Sequence, residues 1–324
     1  MTPAARREVR WALVAGAIFV SALAPLEMNT YWLRVLSTIC LYATLASAIN
    51  LMAGYTGYPA FGNVVFFGLG AYATGIAMAK FQWAFWVGVA SGIVVCACYA
   101  IVIGLPVLRL RGHYFAIATL GMNEATRRII ENLSGFTGGG MGLALPIPPG
   151  NVRSASTYIY FLVLGLLLVV VGTSFWLMRS QFGYGCRAIR FDEEGAANCG
   201  VPTMRYKVTM WVISAIFTGI AGGIYAHWFG YIEPGAVFDM TIAVKCFVMM
   251  LIGGTATVLG PLYGAVLIEL FALATWSHLL KYHTGVLGLL IIAVILLAPS
   301  GLMGLGTRRL SLRSLLANMR ETRL

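Results

Sequence analysis

The chain has 324 residues, of which 60% are hydrophobic and only 10% are charged, and its mean hydropathy is +0.85. Soluble domains carry about 25% charged residues, so this composition excludes an ordinary soluble domain and predicts a polytopic helical membrane protein. The formal net charge of +11 does not indicate nucleic-acid binding, because the basic residues gather beside apolar segments, where membrane topology explains them.

The first half of the chain predicts five helices that cross or enter the membrane. They lie at about residues 11–26, 32–53, 64–79, 84–108 and 112–131. The first follows an Arg-rich start and is interpreted as an uncleaved helix whose basic end is cytoplasmic. The last is the weakest, since it carries Glu124, Arg127, Arg128 and Glu131 at spacings that allow pairing on one helix face. The crossings near 60–79 and 112–131 are therefore open to a re-entrant interpretation.

The second half begins with a Gly- and Pro-rich loop at about 132–156, which is expected outside the bilayer on the periplasmic side. Further helices are predicted at about 157–178, 208–229, 241–259, 262–280 and 284–299. The whole chain, 1–324, then forms one all-α transmembrane domain of about 8–10 transmembrane or re-entrant helices. Cytoplasmic termini, including the basic tail at about 305–324, place every main basic cluster inside.

A polar segment at about 180–207 separates two long apolar runs. Asp192 is predicted to cap a short helix whose first turn holds Glu193 and Glu194, where carboxylates suit the positive helix end. Gly200 is the predicted left-handed stop, and Pro202 prevents continuation. An amphipathic element of this kind suits contact with a soluble partner, although composition alone also fits an ordinary cytoplasmic loop.

Two Gly/Pro-interrupted segments, together with an acid deep in an apolar run, are the candidates for a translocation path. These candidate residues are Gly54, Tyr55, Thr56, Gly57, Gly253, Gly254, Thr255 and Glu269. The alternatives are simple turns between helices and, for Glu269, a structural hydrogen bond to a neighbouring helix. Lys245 also lies within an apolar run, where its long side chain would reach the outer surface.

The sequence gives no support for catalysis or metal binding. No Ser/His/Asp or Cys/His arrangement is present, and no cysteine pair has C-x-x-C spacing. None of the four lysines precedes Ser or Thr, so the chain has no phosphate-binding loop. If ATP drives this protein, another chain must hydrolyse it.

Four blocks in chain order resemble the membrane subunits of ABC importers for branched-chain amino acids, of the LivM-like type. The blocks are Asn50–Gly57 with Gly62 and Phe66–Tyr72, Leu108–Leu120 with Leu133–Gly142, Gly185–Gly200, and Gly253–Pro261. The resemblance implies that the short helix is a coupling helix, with Glu194, Ala197 and Gly200 at the family's motif positions. Gly195 departs from it, at a helix cost of about 1 kcal/mol relative to Ala.

The same resemblance implies the partners and the place of the protein. The coupling helix would dock in a cytoplasmic ATPase, with contact residues Arg187, Arg190, Asp192, Glu193, Glu194, Ala197 and Gly200. The expected assembly is a heterodimer with a second permease, two ATPase subunits that hold ATP and Mg, and a solute-binding protein, in a bacterial inner membrane. The chain itself would hold no cofactor and would be no enzyme.

Two other functions stay open from the sequence. A secondary transporter would act alone and would place ionisable residues at mid-membrane, for which Glu269 is the only support. A passive channel for a small solute would leave the polar segment without a partner. Within the importer interpretation, branched-chain amino acids, urea and short amides remain alternative substrates.

Overall fold

The computed structural model describes residues 29–146 and 150–278. The predicted helices at about 11–26 and 284–299, and the basic tail, lie outside the described residues. Within those ranges the long helices are α1 (Thr30–Ile49), α2 (Val64–Ala79), α3 (Phe85–Val107), α4 (His113–Asn132), α6 (Val152–Arg179), α9 (Thr203–Phe229), α11 (Met240–Gly253) and α12 (Gly260–His278).

Shorter elements connect these helices. They are a π-helical turn at Asn50–Gly54, 3-10 turns at Phe61–Asn63 and Gly139–Met141, and helices α5 (Ser134–Thr137), α7 (Gln181–Phe191), α8 (Glu193–Asn198) and α10 (Pro234–Val237). Strands β1 (Leu143–Ala144) and β2 (Tyr231–Ile232) pair antiparallel, with Leu143 opposite Ile232. The predicted loop at 132–156 therefore contains α5, a 3-10 turn and β1, and α6 begins at Val152 rather than near 157.

Six helical segments in the described part of the chain are long and apolar enough to cross a membrane. They are Thr30–Gly54, Phe61–Ala79, Phe85–Val107, Val152–Arg179, Thr203–Phe229 and Pro234–Gly253. A shorter apolar helix, Gly260–Ala274, follows them. The prediction of an all-α polytopic membrane protein is confirmed.

Helix α9 forms the centre of the bundle and packs against both α2 and α3. Small residues allow this approach: a Cβ on Gly70 would lie 2.1 Å from the carbonyl oxygen of Gly219. Trp211 of α9 is fully buried, with its ring centroid 5.2 Å from that of Phe66 and 5.8 Å from that of Phe115. Around this core, α1 packs against α6 and α12, and α11 packs against α12.

The bundle has two distinguishable ends. We call the end that carries α8 the α8 end, and the end that carries the β1–β2 pair the strand end. Helix α2 follows Tyr58, which hydrogen-bonds Glu193 of α8, and is followed by Lys80, whose Nζ lies 2.5 Å from the carbonyl oxygen of Gly135. Helix α2 therefore runs from one end to the other and is not re-entrant.

Helix α4 also crosses the bundle from end to end. Arg111, just before it, pairs with Glu194 of α8, whereas Leu143, soon after it, pairs with Ile232 of β2. Its 20 residues rise about 30 Å, the thickness of a hydrocarbon core. The weakest predicted crossing is thus a full-length helix, even though it is too polar to be recognised as a span from composition.

Candidate functional site

The polar segment folds into two helices, α7 and α8, joined at Asp192. Ser180 caps α7 by accepting a hydrogen bond from the Gly183 backbone N–H at 3.2 Å. At Asp192 the backbone becomes extended, and Asp192 Oδ1 accepts a hydrogen bond from the Glu194 backbone N–H at 3.1 Å. Gly200 has φ +85°, the left-handed conformation that ends the segment. The predicted cap and stop of the short helix are confirmed.

Helix α7 was missing from the sequence-based prediction, although a signal for it exists. Gly183, Cys186 and Ile189 are buried at a spacing of three, so the helix has one buried face. Phe182 strengthens that face by stacking on Tyr206 of α9 with ring centroids 4.4 Å apart. Gly183 and Gly185 lower the helix propensity of this stretch.

Gly195, the departure from the family motif, has a local structural reason. A Cβ at this position would lie 2.6 Å from Asp192 Oδ2. An alanine would therefore press on the carboxylate that caps α8. Glycine leaves this carboxylate undisturbed, although it lowers the helix propensity by about 1 kcal/mol relative to Ala.

Glu193 fixes α8 to the bundle through a cluster with Tyr58 and Lys207. Lys207 Nζ lies 2.7 Å from Glu193 Oε1, 3.0 Å from Tyr58 Oη and 3.0 Å from the carbonyl oxygen of Leu108. Tyr58 Oη also donates to Glu193 Oε2. The side chain of Lys207 is only 4% exposed and that of Glu193 16%. The lysine charge is thus satisfied by three oxygen acceptors, as a buried cation requires.

The pKa of the Glu193 carboxyl is set by opposing causes. Burial raises this pKa, but the hydrogen bonds from Lys207 and Tyr58 and the positive charges of Lys207 and Arg111 outweigh it, so the pKa lies below its ordinary value. A carboxyl with a lowered folded-state pKa stabilises the fold above its unfolded pKa, and this contribution is lost as the pH falls through the lowered value.

We therefore expect acid to release α8. In thermal unfolding of the purified protein, Glu193→Gln should be less stable than the natural chain at neutral pH. Because the carboxyl becomes protonated in acid, this difference should shrink as the pH falls below the ordinary pKa of 4.5 and on through the lowered one. A difference that stays constant from neutral pH down to pH about 3 would show that ionised Glu193 contributes no pH-dependent stability.

Arg190 is exposed, and its side chain reaches from α7 to both interrupted segments. Its Nη1 donates to the Gly54 carbonyl oxygen at 2.6 Å, and its Nη2 lies 3.3 Å from Thr255 Oγ1. Asn50 joins the same two regions, since its Nδ2 donates to the Thr257 carbonyl oxygen at 2.9 Å and its Oδ1 accepts from the Ala256 N–H at 3.0 Å. The two interrupted segments identified from the sequence therefore meet at the α8 end.

Arg187 and Glu194 make weaker contacts. Arg187 turns back along its own chain, with Nη2 3.0 Å from the Met178 carbonyl oxygen. Glu194 Oε1 lies 2.6 Å from Arg111 Nη1, but both side chains are largely exposed, so this pair adds little stability. Neither residue is needed to hold α8 in place.

The outer face of α8 is open. Ala196 is buried, whereas Glu194, Ala197 and Gly200 are exposed, and Phe191 just before the helix is 90% exposed. The segment thus combines a firmly attached inner face with an exposed face that carries an aromatic ring, an acid and small residues. Such a surface has the mixed character of a protein contact.

The remaining candidate path residue, Glu269, lies apart from Gly54 and Thr255. Its Oε1 is 2.6 Å from Lys245 Nζ, and both side chains are mostly buried. Lys245 also lies over the Tyr42 ring, 4.0 Å from its centroid. The prediction that Lys245 reaches the outer surface is wrong, because Glu269 holds its ammonium inside.

Tyr55 and Thr56 are buried beside Gly54. Within 29–146 and 150–278 no group of three or more His, Cys, Asp or Glu side chains is placed to hold a metal.

Comparison with known proteins agrees with this architecture. Residues 31–295 match the family described as branched-chain amino acid transport system, permease component. The chain is 28% identical to the high-affinity branched-chain amino acid transport system permease protein LivM of Salmonella typhimurium, and 27% identical to LivM of Escherichia coli. Both matches take in 94% of this chain and 78% of the relative. LivH of Escherichia coli is 23% identical over 81% of this chain and 91% of its own length.

Proposed function

The chain belongs to the family of branched-chain amino acid transport permeases, and we propose that it is a membrane-spanning subunit of an ATP-driven importer whose α8 docks on a cytoplasmic ATPase. The observation that carries this proposal is the two-sided attachment of α7 and α8. One side is fixed to the bundle by Glu193, Lys207 and Arg190, and the other exposes Glu194 and Ala197. A force applied to the exposed side therefore reaches the membrane helices.

The assembly that we propose contains more than this chain. The chain has no phosphate-binding loop of its own, so ATP and Mg would be bound by two partner ATPase subunits. LivM and LivH are distinct permeases to which this one chain is similar, which supports a pair of related permeases in one importer. A solute-binding protein would deliver the solute at the strand end, and the α8 end would face the cytoplasm of a bacterial cell.

The solute that we propose is a branched-chain amino acid or a similar small polar molecule such as urea or an amide. The names of the LivM and LivH relatives favour the amino acids. Arg190 already hydrogen-bonds Gly54 and Thr255 at the α8 end. We therefore propose no residue at that end, within the described part of the chain, as a determinant of solute selectivity.

Reversing the charge on α8 should detach the ATPase. Glu194→Arg places a base on the exposed face without touching the Glu193–Lys207 cluster, so the chain should fold while the docking surface carries the wrong charge. We expect retention of the ATPase by the purified, detergent-solubilised chain to fall about tenfold or more. The measurement is ATPase activity retained, with the retained protein identified by mass spectrometry.

The matched control is Glu233→Arg, which makes the same charge change at an exposed acid just after β2, at the strand end. This variant should retain the ATPase like the natural chain. Equal retention by Glu194→Arg and the control would place the docking surface elsewhere. No ATPase on the natural chain would favour a secondary transporter or a passive channel over an importer.

A further inference from the structure

Helix α4 carries a continuous exposed stripe, which we call the α4 stripe. Its members recur every three or four residues: Tyr114, Ile117, Gly121, Glu124, Arg128 and Asn132. The opposite side of the helix is buried in the bundle; Asn123 Nδ2, for example, donates to the Phe238 carbonyl oxygen at 2.9 Å. The stripe is therefore a fixed outer surface of a packed helix and not a feature of a loose segment.

Four charges concentrate on the stripe and at its edge. Arg128 Nε lies 2.8 Å from Glu124 Oε1, and Arg127 Nε lies 2.9 Å from Glu131 Oε1. Despite these pairs, Arg128 is 62% exposed and Glu124 49% exposed. Two acids balance two bases, so the network has no net charge. Its polar atoms still face outward and need hydrogen-bond partners there.

Helix α3 of the same bundle has a different outer surface. Helix α3 contains no charged residue, and its most exposed large side chains are Trp86, Val94 and Val102. Lipid offers no partner for a charged side chain, so ionisable residues in membrane helices face the bundle interior or water. Glu124 lies within α4, about 16 Å from the start of the helix and about 12 Å from its end, too deep for it to reach the headgroups.

We propose that the α4 stripe lines a water-filled passage through the membrane, along which a solute without net charge moves. This inference rests on the proposed permease function and replaces the interrupted segments as the translocation path, because Arg190 hydrogen-bonds these two segments together at the α8 end. The balanced charges give polar contacts along the passage without a strong barrier or trap for either sign of charge.

The test is thiol accessibility in membranes, with one cysteine added at a time to a chain whose exposed Cys98 and Cys199 are replaced by serine and whose four buried cysteines are kept. Gly121→Cys and Ile117→Cys probe the stripe, and Val94→Cys and Val102→Cys probe the apolar surface of α3. A Cβ at Gly121 meets no atom within 4 Å, so this variant should fold. The probes are two water-soluble methanethiosulfonate reagents, one cationic and one anionic, applied to separate samples.

We expect the stripe cysteines to react at least about tenfold faster than those on α3, because a thiol in water ionises and one in lipid does not. The cationic and anionic reagents should label Gly121→Cys at similar rates. Equal, slow labelling at both helices would overturn the proposal and mean that lipid or protein covers the stripe. A strong preference for one reagent charge would overturn the neutral character of the passage. Labelling does not require a bound ATPase, so this result is separate from the fate of the importer proposal.

Discussion

Gly70→Ala is expected to lose about 3 kcal/mol or more of stability. The added Cβ would lie 2.1 Å from the carbonyl oxygen of Gly219. That oxygen belongs to the backbone of α9 and cannot rotate away, so α2 and α9 must separate. The separation loosens the centre of the bundle around Trp211. The loss of stability is measured by heating the protein in detergent and determining the fraction that stays folded by size-exclusion chromatography.

The control uses the same substitution in another membrane helix. Gly165 of α6 is exposed, and a Cβ there meets nothing within 4 Å. Gly165→Ala should leave stability unchanged or raise it by up to about 1 kcal/mol, the difference in helix propensity. Gly165→Ala is thus expected to be at least as stable as the natural chain, and Gly70→Ala less stable. A stabilised Gly70→Ala protein would mean that α2 and α9 do not approach as closely as described.

Lys207→Met is expected to cost about 3 kcal/mol and to uncouple ATP hydrolysis from transport. Methionine preserves the length of the side chain but leaves the Glu193 carboxylate without its cation and the Leu108 carbonyl oxygen without a donor. Helix α8 then loses its main attachment to α9 while its exposed face is unchanged. Docking of the ATPase should persist, and solute moved per ATP hydrolysed in reconstituted vesicles should fall.

Lys80→Met is the matched control, because Lys80 is an exposed lysine at the strand end; it should change stability by no more than about 0.5 kcal/mol. A second comparison isolates the ion pair. Glu193→Gln combined with Lys207→Met removes both charges, so the double variant should regain part of the stability lost in Lys207→Met alone. If the double variant is no more stable than the single one, the buried charge of Glu193 is not the cause of the loss.

Local rules were enough to predict α8. A capping aspartate, acids in the first turn and a left-handed glycine act within a few residues of one another, and the structure has all three. The apolar helices were predictable for the same reason, since length and composition decide them. Contacts between distant residues were not: Lys207 and Tyr58 are 149 residues apart, and nothing local marks them as partners.

The Lys245–Glu269 pair is an intermediate case. Lys245 lies 12 residues before Thr257 and Glu269 lies 12 residues after it. A helical hairpin that turns near Thr257 brings such positions side by side, so the pairing was available from the sequence once the turn was located. The role of α4 was harder to predict, because its charges lower its hydropathy and only the contacts at its two ends show that it crosses the bundle.

The contacts of Arg190 and Asn50 have a mechanical consequence. Asn50, directly after α1, hydrogen-bonds Ala256 and Thr257, just before α12. Arg190 of α7 hydrogen-bonds Gly54 and Thr255 in the same two segments. These hydrogen bonds join α1, α7 and α12 at the α8 end. A tilt of α7 that keeps the bonds intact therefore moves α1 and α12 in the same direction. Helix α12 is also bound to α11 through the Glu269–Lys245 ion pair. A movement of α7 is therefore transmitted to α1, α11 and α12.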